Sequence, residues 1–122
     1  MKFEVDPRYR LFYFPDRGFA QFKVTDKMLI INQICGDGKF WKQVAEVLAS
    51  ACGVNHLGTW CVRNVEVYIR FWGFTADCIE YLQKEDCSRY HCINKTTGER
   101  ALISPAFKKD NGEWAYYVTW EI

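Results

Sequence analysis

Two groups of residues have types and spacings that chemistry could use. The first is Gln33-Ile34-Cys35-Gly36-Asp37-Gly38, set between the apolar run Met28-Leu29-Ile30-Ile31 and a helical pattern that opens at Lys39. A glycine bend that hands a strand to a helix leaves backbone N–H groups free at the positive end of the helix dipole, where an anion can be received. The reading that needs no ligand is a tight turn in which Asp37 caps its own helix. Cys35, beside that helix start, is a candidate low-pKa thiol. Its plainer reading is a packed thiol at a strand end, with no histidine nearby in sequence to act as its base. The second group is Cys87-x-x-x-His91-Cys92, with Cys78 upstream. Zinc sites usually show two separated ligand pairs. No Cys-x-x-Cys pair occurs and His56 is the only other histidine, so the expectation is packed thiols and no metal.

The elements that must position these residues follow from patterning. Arg10–Phe14 and Phe19–Val24 read as a hairpin around the turn Pro15-Asp16-Arg17-Gly18, with Ala20, Phe22 and Val24 on one face. Met28–Ile31 reads as a central strand buried on both faces. A helix follows from Lys39 to Cys52, with a stripe of Phe40, Trp41, Val44, Leu48 and Ala51 and with Gly53 beyond its end. Leu57–Val62 is the next strand. Asn64 is a candidate N-cap for a second helix carrying Val65, Tyr68, Ile69 and Trp72, ended by Gly73. Ala76–Leu82, Arg89–Asn94, Arg100–Ser104 and Trp114–Ile122 read as strands, with turns at Lys95–Gly98 and Asn111-Gly112.

The length of 122 residues sets the expectation of one domain. A composition 49% hydrophobic and 25% charged is that of a globular chain. A net charge of +1 argues against a nucleic-acid partner, which needs a basic face. No run of 18 apolar residues occurs, so no membrane span is expected. Charges in Met1-Lys2-Phe3-Glu4-Val5-Asp6 leave no apolar core for a signal peptide, so a cytoplasmic location and six reduced thiols are expected. An aromatic content of 17% exceeds what so small a core buries. Exposed rings, with Trp72, Trp114, Tyr116 and Tyr117 as candidates, therefore suggest a protein partner or a homo-oligomer.

The middle of the chain resembles the GNAT N-acetyltransferases, whose acyl-CoA motif is Q/R-x-x-G-x-G/A at a strand-to-helix handover. Gln33-x-x-Gly36-x-Gly38 matches it. The helix closed by Gly53, the strand from Leu57, Asn64 and Gly73-Phe74 have counterparts in that family. The resemblance covers residues 10–82, most closely 28–74. It implies an α+β fold with an α/β-like centre: a mixed, mostly antiparallel central sheet with two main helices. Residues 10–82 would form the core of a single domain, and residues 83–122 would add C-terminal β-hairpins. It also implies acetyl-CoA as cofactor. Backbone N–H groups of Cys35, Gly36, Asp37, Gly38, Lys39 and Phe40 would hold its pyrophosphate, with Gln33 and Asn64 as further cofactor-side positions. The thioester would lie near Ile31 or Asn32. Tyr68 falls near the family's general acid, and Glu66 is the candidate base.

Two functions follow from that resemblance. One is an acetyltransferase that moves an acetyl group from acetyl-CoA to an amine of a protein or small molecule. The other is a non-catalytic interaction protein on the same scaffold, such as a virion component or an inhibitor of a host system encoded by a phage or mobile element. It would act in the host cytoplasm or in the virion. The charge of Asp37 between the glycines and the family's missing early helices favour the second.

Overall fold

The computed structural model describes residues 9–61 and 64–122, and of Tyr68 only the backbone. Their elements run in the order β1 (Arg10–Phe14), β2 (Gly18–Val24), β3 (Met28–Gly36), α1 (Gly38–Ala51), β4 (His56–Cys61), α2 (Val65–Phe71), β5 (Thr75–Leu82), β6 (Cys87–Ile93), β7 (Arg100–Lys108) and β8 (Trp114–Glu121). The chain forms two compact units, 1–57 and 58–122, and the boundary falls inside β4.

The expected α+β, GNAT-like architecture with two main helices is not what forms. The described chain is 53% strand and 18% helical, a mostly β protein. The second helix forms where it was expected, but α2 spans only Val65–Phe71, seven residues. Two turns bury too little surface to act as a layer. Residues 83–122, expected as additional hairpins, supply three of the eight strands among the described residues.

In the first unit β2 pairs with β1 and with β3, both antiparallel. The strand expected over Met28–Ile31 continues to Gly36. A bulge allows this. Gln21 faces Gln33 while Phe22 faces Ile31, so Asn32 is the extra residue, and its amide donates to Gln21 Oε1 at 3.0 Å. Ala20, Phe22, Leu29 and Ile31 are buried with Trp41, Ala45 and Ala49 of α1. The buried face of α1 is Gly38, Trp41, Ala45 and Ala49, one position round from the expected stripe. Small residues sit where the helix approaches most closely, and Phe40, Val44 and Leu48 are left half-buried on its flank.

In the second unit β5, β6, β7 and β8 pair in sequence as antiparallel neighbours. Cys92, Ala101, Ile103, Val118 and Trp120 are buried on one face, and Trp72 meets Trp120 at 5.2 Å between ring centroids. Pro105 lies at a bulge in β7, where its missing N–H does least harm to the ladder. The bulge also shifts Phe107 to the opposite face, where it meets Trp60. Gly98 and Gly112 close the two expected hairpin turns, bonding back to Asn94 and Lys109 at 2.7 and 3.0 Å. No described helix is long and apolar enough to cross a membrane.

Candidate functional site

The start of α1 is built from two turns that cross. The turn after β1 brings Gly18 opposite Gly36 at the end of β3. Both have positive φ, +90° and +109°. A Cβ on Gly18 would lie 1.9 Å from the Cys35 carbonyl oxygen, and one on Gly36 would lie 2.4 Å from that of Arg17. Backbone meets backbone here, so Gly36 is required by the crossing of the chain.

The helix N-terminus is then closed by the chain's own groups. Asp37 is the N-cap, and its Oδ1 accepts from the Phe40 N–H at 3.1 Å. Its other oxygen pairs with the Arg17 guanidinium at 2.6 Å. The Asp37 N–H donates to the Arg17 carbonyl at 2.9 Å. The indole N–H of Trp41, a fully buried side chain, donates to that same carbonyl at 2.8 Å. The Arg17 guanidinium also lies over the Phe40 ring, 5.0 Å from its centroid. The Phe40 N–H, then Arg17, hold the Asp37 carboxyl below its ordinary value of 3.8, so it is ionised at neutral pH. A carboxylate therefore stands where an external anion would have to sit, and an arginine neutralises it.

The remaining expected site residues are placed as follows. Cys35, Gly36, Asp37, Gly38, Lys39 and Phe40 form one continuous bend into α1. Ile31 is fully buried in the core, and the Asn32 side chain is engaged with Gln21. Gln33 lies half-buried opposite Gln21. Asn64, Glu66 and Tyr68 belong to the second unit. Asn64 caps α2 as expected, its Oδ1 accepting from the Glu66 N–H at 2.9 Å. The Glu66 side chain is exposed. The side chain of Tyr68 and the strand residue Val62 lie outside the described residues.

The cysteine–histidine group is spread over both faces of its strand. His91 and Cys92 are neighbours on β6 and point to opposite sides. Cys92 is buried, and burial pushes its thiol up to about 11. His91 contacts Glu80 at 3.3 Å, and Glu80 is held below its ordinary value by His91 and Arg89. Among the described residues no three or more His, Cys, Asp or Glu side chains gather as metal ligands.

The aromatic side chains are sorted differently from expectation. Trp72 is buried. Trp114 is half-buried and donates its indole N–H to the Glu85 carbonyl at 3.1 Å. Tyr116 packs on Tyr90 and Tyr117 on Trp60, at 6.2 and 4.8 Å between centroids. Among the described residues the exposed rings are Tyr13, Phe14, Trp60, Phe71, Tyr81 and Phe107. Burial followed packing partners, which composition does not reveal.

Sequence reasoning missed Arg17 and Trp41, which complete the closure at α1. The available signal was the recurrence of glycine at 18 and 36, each beside a charged residue. Compared with known proteins, the chain matches no family model, no curated protein and no solved structure.

Proposed function

We propose that this chain is a non-catalytic interaction protein, and that the partner it meets first is a second copy of itself. The observation that carries the reading is the closed start of α1. An ionised carboxylate, held by the helix N–H groups and by Arg17 at 2.6 Å, occupies the one place where the sequence offered a phosphate cradle. Displacing it would cost a cap and an ion pair before any ligand contact formed.

The strands at the outer edge of each unit favour self-association. β1 pairs only with β2, and β5 only with β6, among the described residues. Both carry large exposed apolar side chains: Leu11, Tyr13 and Phe14 on β1, Ile79 and Tyr81 on β5. Open strand edges of this kind template pairing with another chain. Arg10 lies on one edge, Asp77 and Glu80 on the other. The acids also have partners in their own chain, Arg100 at 3.7 Å and Arg89 at 3.3 Å. Exposed pairs of that sort are worth little and exchange readily.

The test has two arms. Light scattering across a concentration series is expected to give masses that are multiples of 14.4 kDa, and Tyr13→Lys or Ile79→Lys to shift them toward monomer. Calorimetric titration with acetyl-CoA or CoA is expected to give no heat. A concentration-independent monomer would overturn the self-association. Micromolar acetyl-CoA binding that is lost in Gly38→Asp would overturn the non-catalytic reading.

A further inference from the structure

The opposite end of α1 presents a groove that the sequence did not announce. It lies in the first unit, between the β1–β2 hairpin and the last turns of the helix, with a volume of about 400 Å3. Its lining is Arg10, Phe12, Phe22, Lys23, Val24, Leu48 and Cys52. That volume falls within the range of small-molecule sites.

The placement of these side chains follows from register. Arg10 faces Phe22 and Phe12 faces Ala20 across the hairpin, so Arg10, Phe12 and Phe22 share the face that α1 covers. Phe22 is buried and tilts onto Phe12 at 5.2 Å. Leu48 and Cys52 are one helical turn apart on the facing side. Val24 closes the strand end on that face, while the Lys23 side chain, one position out of step with Phe22, turns to the other face, its ammonium 5.9 Å from the centroid of the Tyr9 ring. The groove thus has an apolar floor, one cation facing it, Arg10, and no acid among its lining residues.

We propose that this groove binds a small amphiphile with one anionic head and an aliphatic tail, an aliphatic carboxylate being the simplest case. The polarity fixes the orientation. The C-terminal end of α1 carries the negative end of the helix dipole, about half a charge, and no basic residue lies in its last turn. Arg10 carries a full positive charge on the strand side. The head therefore sits at Arg10, and the tail runs over Phe12 and Phe22 toward Leu48 and Cys52. The arginine supplies bidentate donors that suit a carboxylate. A cationic amphiphile would meet the like charge of Arg10, and a neutral one would gain only the apolar contact.

The experiment uses octanoate, 1-octanol and octylamine, each below its aggregation concentration, on the full chain. Calorimetry is expected to rank octanoate at least tenfold tighter than octanol, with octylamine weakest. Arg10→Glu is expected to reverse the order of octanoate and octylamine, and Leu48→Trp to abolish all three. Because Leu48→Trp could disturb the fold, alkylation of the wild type supplies an independent measure of position. Cys52 and Cys78 are both exposed. Octanoate is expected to slow iodoacetamide labelling of Cys52, read by peptide mass spectrometry, and to leave Cys78 unchanged. Equal affinity for the three amphiphiles would overturn the anion preference. Absence of octanoate binding, or labelling of both thiols unaffected by it, would overturn the site.

Discussion

The two ends of α1 make opposite use of the same chemistry. At the N-terminal end a glycine bend, an acid, an arginine and an indole close on one another, and every polar group named there has a partner inside the chain. At the C-terminal end the backbone is also satisfied, with Cys52 bonding back to Leu48 and Ala49 and Val54 to Ala49. Yet the side chains there leave a cationic, apolar-floored groove open. The motif-bearing end is closed by the chain's own groups, and the end without a motif keeps its side chains apart. A glycine motif specifies a backbone path. Whether that path receives a ligand or a neighbouring turn depends on which groups fold back onto it.

The strongest way to break this comparison is to force a side chain into the crossing at the closed end. Gly18→Ala would drive a Cβ to 1.9 Å from the Cys35 carbonyl oxygen at a φ of +90°. Two strands and the helix start would have to move. The expected loss is ~3 kcal/mol or more, read as the shift in urea-unfolding free energy. Gly98→Ala is the reference: the φ is +78° but nothing lies within 4 Å of the added Cβ. It is expected to cost about 1 kcal/mol. Equal costs at the two sites would mean that the crossing is not tight and that the bend has room for something else.

The second test removes the indole donor. Trp41→Phe keeps most of the buried ring and deletes the 2.8 Å bond to the Arg17 carbonyl. That carbonyl still accepts from the Asp37 N–H at 2.9 Å, so it is not orphaned. The expected loss is about 2 kcal/mol, from one hydrogen bond plus a small cavity, again by urea unfolding. A loss as large as that of Gly18→Ala would make the indole, rather than the backbone crossing, the element that holds the bend.

Local features of the chain were legible in its sequence, and their assembly was not. The hairpin at Pro15–Gly18, the Asn111-Gly112 turn, the Asn64 cap and the start and end of α1 each depend on residues adjacent in sequence. The fold class was misread because two helical patterns looked like main elements, while strands such as β3 and β7 run on to Gly36 and Lys108, past the ends at Ile31 and Ser104 that patterning marked. The chemistry was harder still. Gln33-x-x-Gly36-x-Gly38 has the letters of a phosphate loop, and nothing within it reveals that Arg17, 20 residues upstream of Asp37, will pair with the acid. The groove had no sequence signature, since Arg10, Phe22 and Leu48 come from three elements brought together only by register and helix docking.

The smallest expected effect comes from changing the charge at the closed end while keeping the cap. Asp37→Asn retains a side-chain oxygen for the Phe40 N–H and loses the carboxylate that Arg17 pairs with. The folded protein holds this carboxyl below its ordinary value of 3.8, chiefly through the Phe40 N–H and then Arg17. A lowered acid binds its proton less readily folded than unfolded, so its contribution to stability is complete above the unfolded value. That contribution is lost as pH falls through the folded one. Wild type is therefore expected to exceed Asp37→Asn in urea midpoint near neutral pH, with the gap narrowing below 3.8 and closing in stronger acid. The site is exposed enough for salt to screen the pair, so raising the ionic strength at neutral pH should also narrow the gap. A gap that persists unchanged into acid would mean that the charge is not what closes the helix. The N-terminal end of α1 would then be as open to an external anion as the groove at its other end.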